Sequence, residues 1–261
     1  MPTTLQVHNF SYGVLNPGLA YLMSCLGAFL GLRCITRARA YAGWPKAAWL
    51  TVAAVSVGAT GIWVMHFVAM LGFTVPGQSI LYNVPVTLAS MLVAVLVVGI
   101  GLFIVGYSDG GPARIVLGGT IIGIGVAAMH YVGMYAMTMQ AVVHYDVGLV
   151  AVSVLIAIVA GSAALWAGLR VQGITSTLIA SLIMGVAVTG MHYTGMAAMR
   201  VYPGSGSMAM SGLSAMGFLL PLLIGVSIAT FLMTLVIALS PTEDEIREEQ
   251  SLRDRIRANQ F

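Results

Sequence analysis

Long apolar runs alternate with short polar connections along this chain. Seven runs, at about residues 17–34, 47–71, 84–107, 114–138, 147–169, 174–199 and 215–239, approach or exceed the roughly 20 residues a helix needs to cross a bilayer. Backbone groups in lipid must bond within their own segment, so each run is expected to be a helix. A barrel would show short segments of alternating polarity, and these runs do not alternate. Asn16-Pro17, Asn83 two residues before Pro85, and Asp146 read as caps opening helices 1, 3 and 5. The expected fold class is therefore all-α, a polytopic membrane protein with seven transmembrane helices and the lipid bilayer as its surroundings. Residues 1–240 form the membrane domain. After Pro241 the sequence turns polar, Thr242-Glu243-Asp244-Glu245 resembles a capping box, and 241–261 reads as a helical tail or linker.

Composition supports the same class. Only 7% of the 261 residues are charged, against about 25% in a soluble domain, and the mean hydropathy is +0.97. The net charge of +3 matters less than its placement. Arg33, Arg37, Arg39, Lys46, Arg114, Arg170, Arg247, Arg253, Arg255 and Arg257 fall on one side of a seven-span topology, and Arg200 alone falls on the other. Basic residues favour the cytoplasmic side, which puts the N-terminus outside and the C-terminus in the cytoplasm, with the protein in the cell membrane. Residues 1–32 contain no Lys or Arg, so no signal peptide of the usual form is expected. Cys25 and Cys34 lie nine residues apart on one expected helix. That is about 13 Å of rise, too far for a disulfide. No basic face suits nucleic acid.

One hexapeptide recurs: Met65-His66-Phe67-Val68-Ala69-Met70, Met129-His130-Tyr131-Val132-Gly133-Met134 and Met191-His192-Tyr193-Thr194-Gly195-Met196. Its common form is Met-His-aromatic-x-small-Met, and the copies stand 64 and 62 residues apart. The spacing points to three repeated two-helix units plus helix 7. Each His shares a helix face with the Met four residues on. The same stripe is expected to continue on helix to Met137 and Met199. All three motifs fall near the outer ends of helices 2, 4 and 6, at a common depth. Small residues precede each one: Gly58 and Gly61; Gly119, Gly123 and Gly125; Gly185 and Gly190. They make helices 2, 4 and 6 candidates for a tight inner cluster.

Ionisable residues inside a span are costly and mark sites, and three at one depth point to a shared centre. Imidazole with thioether suits Cu(I) and tolerates Cu(II). Asp146 is the lone carboxylate expected outside, which argues against magnesium, calcium or a di-iron site. Zinc would use the three His but leaves the Met unexplained. Haem is a rival, since His/His and His/Met are common axial pairs. The candidate metal ligands are His66, His130 and His192, with Met65, Met70, Met129, Met134, Met191 and Met196. Tyr131 and Tyr193 can contribute a hydroxyl to a cofactor, while Phe67 cannot.

These motifs, over about residues 10–240, resemble the MHYT family of integral membrane sensor domains. The resemblance implies copper held by the Met, His and Tyr positions. It also implies sensing of oxygen, carbon monoxide or nitric oxide, and coupling to cyclic-di-GMP synthase or phosphodiesterase domains in the cytoplasm. It falls on Met65, His66 and Met70; on Met129, His130, Tyr131 and Met134; and on Met191, His192, Tyr193, Thr194 and Met196. Only the third copy has the full Met-His-Tyr-Thr. The chain is then a stand-alone member, a piece of a longer protein, or one that signals to a cytoplasmic partner.

Three function classes follow. A non-enzymatic sensor passing its signal to the cytoplasmic side fits best. A metal transporter needs a ligand ladder down the inner halves of helices 2, 4 and 6, where Met184 stands alone. An enzyme needs a nucleophile–base pair or phosphate loop, and neither is visible; a membrane haem protein remains an alternative.

Overall fold

The structure, a computed structural model, describes residues 4–204 and 211–240, with Glu248, Ser251, Leu252, Arg255 and Ile256 beyond them. The capping box expected at 242–245 lies outside the described residues, as does most of the tail.

Among the described residues, seven helices are long and apolar enough to cross a membrane: α1 (Leu15–Arg39), α2 (Gly43–Met70), α3 (Val84–Gly106), α4 (Pro112–Tyr135), α5 (Val147–Arg170), α6 (Ile174–Ala197) and α7 (Ala215–Leu239). The expected caps hold at α3 and α5. Asn83 Oδ1 accepts from Val86 N at 3.1 Å, and Asp146 Oδ1 accepts from Leu149 N at 3.0 Å. Asn16 does not cap. The helix already runs from Leu15, and Asn16 Nδ2 instead donates to Val68 O at 3.0 Å. At the far end α1 continues to Arg39, so Arg33, Arg37 and Arg39 belong to its last turns rather than to a loop.

Helices α1 to α6 close a ring. Each packs on the next in chain order, and α6 returns to α1. Repeated backbone bonds pair them as α1–α2, α3–α4 and α5–α6. Asn83 N donates to Ala136 O and Asp146 N to Ala198 O, each at 2.8 Å, tying the start of an odd helix to the end of the even one after it. In the first pair Ser11 N donates to Gly72 O at 3.0 Å. Helix α7 leans on the outside of the ring against α1 and α2.

The small residues work differently from the expected inner cluster. Gly61 faces Gly27 of α1, Gly58 meets Val95 of α3, Gly119 and Gly123 meet Ser162 and Ile158 of α5, Gly125 meets Val97 of α3, and Gly185 meets Cys25 of α1. They serve ring neighbours, where close approach of backbones gives the packing that holds membrane helices together. Between α2 and α6 the approach concentrates in Met65–Met70. The even helices thus converge at one end only, and below that end lie two small apolar voids that share Val57, Ile122, Ala164 and Met184.

Ser56–Val64, within α2, is π-helical. Such winding is rare and gathers at functional sites. It also uses more residues per unit length: His66 stands 23 residues after Gly43, whereas His130 and His192 each stand 18 after the start of their helices. At the motif end the chain caps the ring with short strands: β1 (Leu81–Tyr82), β2 (Met137–Thr138), β3 (Ala141–Tyr145), β4 (Met199–Pro203) and β5 (Leu213–Ser214). They form an antiparallel β2-β1-β5 sheet and a β3-β4 pair in which His144 stands opposite Arg200. Met137 and Met199 therefore sit on strands, not on the helical stripe expected for them. The helices end at Tyr135 and Ala197, because the carbonyls there bond to the odd-helix starts.

Candidate metal centre

Each motif His occupies the last turns of an even helix and turns inward. His66 is 0% exposed, His130 and His192 are 1%. Their Nδ1 atoms converge: His66 to His192 at 3.0 Å and His66 to His130 at 3.2 Å. One ligand atom from each of the three lies within 4.8 Å of the other two. The rings stand nearly perpendicular in pairs, at 78°, 84° and 89°, with centroids 4.9–5.0 Å apart. This is a three-bladed arrangement about a single point.

Two repeated contacts build it. The aromatic of each motif meets its own His edge to face: Phe67 on His66 at 4.6 Å, Tyr131 on His130 at 4.8 Å and Tyr193 on His192 at 4.9 Å. This contact uses the ring alone, so Phe serves as well as Tyr at that position. The small residue of one motif then makes room for the His of the motif before it. A Cβ on Gly133 would lie 2.6 Å from His66 Nε2, and a Cβ on Gly195 would lie 2.9 Å from His130 Cδ2. Composition marked this position as small; its partner became visible only in three dimensions.

Three neutral imidazoles cannot satisfy this arrangement among themselves. A neutral ring has one N–H and one lone pair. If His66 donates through Nδ1, it shares one proton between two acceptors, and His130 must carry its own proton on Nε2. If His66 accepts, one lone pair serves two donors and the proton sits on His66 Nε2. Among the described residues neither His66 Nε2 nor His130 Nε2, both buried, has a partner, so either assignment strands an N–H. A cation at the meeting point would take all three Nδ1 lone pairs and end their competition. The spacing fits: nitrogens 3.0 and 3.2 Å apart, held about 2.0–2.1 Å from one ion, subtend roughly 90–105° there.

The structure brings the three imidazoles together and distributes the thioethers. All six motif methionines are buried, between 0 and 3% exposed. Met65 packs with Ala20 and Ala69. Met191 lines the apolar void under the histidines. Met134 faces a cleft under β2 and β3, shared with Met137, Met139 and Tyr131. Met70, Met129 and Met196 belong to the main core. The Tyr131 hydroxyl is engaged by Ser153 Oγ at 2.7 Å, whereas that of Tyr193 is buried with no partner among the described residues. Beside this cleft, burial pushes the Tyr145 hydroxyl up to about 12, with Tyr131 adding to the effect. Cys25 and Cys34 are free thiols on α1.

Seven apolar helices among the described residues, six of them closed around a buried three-histidine cluster, define a multi-pass membrane protein with a repeated internal site. Residues 60–118, 123–181 and 185–246 each match MHYT, described as "Bacterial signalling protein N terminal repeat". The chain belongs to this family. It is 33% identical over 254 residues to the bifunctional diguanylate cyclase/cyclic di-GMP phosphodiesterase MucR of Pseudomonas aeruginosa, covering 95% of this chain and 37% of that protein. It is 37% identical over 199 residues to the cyclic di-GMP phosphodiesterase NbdA of the same organism, covering 74% and 25%. A signaling protein of Bacillus subtilis, YkoW, is 29% identical over 187 residues, covering 69% of this chain and 23% of that one. The chain thus spans only about a quarter to a third of these relatives. No solved structure matches it.

Proposed function

We propose that this chain is the sensory membrane part of a signalling system, and that its three-histidine centre holds copper. The observation that supports this reading is the convergence of three buried imidazoles, with one ring nitrogen of each within 4.8 Å of the others. Imidazole suits copper, and a thioether drawn from the same motifs would favour Cu(I) while tolerating Cu(II). Copper held there would supply an open coordination position for a diatomic ligand such as oxygen, carbon monoxide or nitric oxide. His66, His130 and His192 fix the position; Phe67, Tyr131 and Tyr193 fix the ring planes; the motif methionines exclude water. A haem fits this geometry poorly, because the three rings surround one point rather than facing each other across a plane.

With the basic end of the bundle in the cytoplasm, the centre lies under the outer surface and α7 leads inward. Thr60 of α2 and Thr230 of α7 are joined by their hydroxyls at 2.7 Å, six residues before His66. Arg37 Nη2 donates to Ser240 O at 3.0 Å where α7 ends. A change in the His66 ring would act through α2 on α7, and so on a cytoplasmic output domain or partner. Two of the relatives carry cyclic-di-GMP activities in their names; here those activities would belong to that partner or domain, and this chain would be non-catalytic. Transport is disfavoured by the voids under the centre, which are apolar apart from Met184 and Met191.

Metal analysis of the purified chain tests the centre. About one copper per chain is expected, falling to none in the triple His66→Ala, His130→Ala, His192→Ala variant. Equal copper in both would end the metal reading. Unchanged optical and vibrational spectra on adding carbon monoxide would remove gas sensing alone.

A further inference from the structure

At the end of the ring opposite the histidines lies a cleft of about 750 Å³, which nothing above has used. Its floor is apolar: Ile35, Leu50, Leu102, Val105, Leu165 and Leu169. Its rim is basic and polar: Arg39 from α1, Lys46 from α2, Arg170 from α5, with Gln172 and Ser108. Basic residues at this end follow from topology alone. Their convergence on one cleft from three separate helices does not. Among the described residues neither Arg39, Lys46 nor Arg170 forms an ion pair. Lys46 Nζ is instead held 4.9 Å over the Tyr107 ring. The one carboxylate on the rim, Asp109, accepts from Gly111 N through Oδ1 at 3.4 Å.

Helix ends reinforce the charge. The even helices α2, α4 and α6 all start at this mouth, and their N-caps are Ala42, Gly111 and Gly173, with no side-chain cap bond. At the other end, α3, α5 and α7 are all capped by side chains, Asn83, Asp146 and Ser214. The positive ends of these helix dipoles add to the attraction of this mouth for an anion.

We propose that this cleft is a binding site for a phosphate-bearing anion, with Arg39, Lys46 and Arg170 taking the phosphoryl oxygens and the apolar floor taking the body that carries them. A basic pocket between helices on the cytoplasmic side suits a lipid headgroup; the same chemistry suits a soluble phosphate compound. Its size is that of an ordinary ligand pocket. The site does not depend on metal at the histidines, so its failure and that of the copper centre are separate.

The test uses the whole chain in nanodiscs. In the first arm, phosphatidylcholine discs receive inorganic pyrophosphate, with sodium chloride at equal ionic strength as control. In the second, phosphatidylcholine is replaced in part by phosphatidylglycerol. The readouts are the midpoint of thermal unfolding and the lipid retained in native mass spectrometry. A rise with pyrophosphate assigns a soluble anion, and a rise with retained phosphatidylglycerol assigns a headgroup. Each cation removed by R39Q, K46Q or R170Q should weaken binding about tenfold. Gln172→Glu, which adds a negative charge at an exposed position, should weaken it comparably without touching the floor. No rise in either arm, or wild-type responses in both the triple cation variant and Gln172→Glu, overturns the proposal.

Discussion

Replacing Gly133 by Ala tests how the centre is held. The new Cβ would lie 2.6 Å from His66 Nε2 and 3.1 Å from its Cδ2. Ordinary contact is about 3.4–4 Å, so the ring must retreat by roughly 0.8 Å or more. It cannot retreat freely: Phe67 holds its edge at 4.6 Å, and its Nδ1 already meets both other histidines. Forcing a methyl into such packing costs about 1–3 kcal/mol. Ala returns up to about 1 kcal/mol of helix propensity over Gly. The net effect on folding is therefore about 0–2 kcal/mol, small enough for the chain to stay folded. Metal binding is the sharper readout, because tolerance around a ligand atom is about 0.2 Å. Copper affinity, measured by competition with a Cu(I) chelator, should fall about 10–100-fold. Gly190→Ala is the control, since a Cβ there meets nothing within 4 Å; it should leave affinity unchanged and gain stability by up to about 1 kcal/mol. A folded Gly133→Ala protein with wild-type affinity would refute the argument that this glycine seats the ring.

The other predictions are of the same kind. Gly195→Ala should act on His130 as Gly133→Ala does on His66, and the double variant should lose more metal than either, read as copper per chain. Tyr193→Phe should be neutral or slightly stabilising, because its buried hydroxyl has no partner among the described residues; Tyr131→Phe should cost about 1 kcal/mol through the lost Ser153 bond; neither should change copper content, and loss of copper in either would restore that Tyr as a ligand. Thr230→Val should cost about 0.6 kcal/mol or a little more in unfolding experiments within lipid. It should also uncouple probes placed on α2 and α7, so unchanged coupling would remove the Thr60–Thr230 link from the signal path. Gly123→Ala should destabilise strongly, since its Cβ would strike the backbone of Ile158, and a Gly123 variant as stable as wild type would contradict the close α4–α5 contact.

Much of this was legible in the chain because the features are local. Span limits followed from apolar length, and the Asn83 and Asp146 caps from side chains that reach their own backbone. The three histidines could be placed near one level from residue counts alone, although His66 reaches it through a π-helical stretch with a smaller rise per residue. What stayed hidden depends on partners distant in sequence. Asn16 looks like a cap, but bonds to Val68 across the first helix pair. Gly119 and Gly123 advertise close packing without saying against what, and their partners lie on α5. Met137 and Met199 continue a helical stripe on paper, but their backbone is claimed by strand pairing. Arg37 reads as a loop cation, yet it is 3% exposed, stacked 5.1 Å over Trp49 and bonded to the end of α7. The π winding of 56–64 carries no periodic signature at all.

The placement of α7 outside a closed ring has an architectural consequence. The three motifs are near equivalents, but within the bundle the helix that leaves the domain is bonded to the first repeat, through Thr60 and Ser56, and has the carbonyl at its end held by α1. On the proposed signalling route, events at the second and third histidines would therefore be reported by proxy, through whatever they do to the first. A threefold receiver would then feed a single wire, and the copy of the motif furthest from consensus, Met-His-Phe-Val, is the one joined to it.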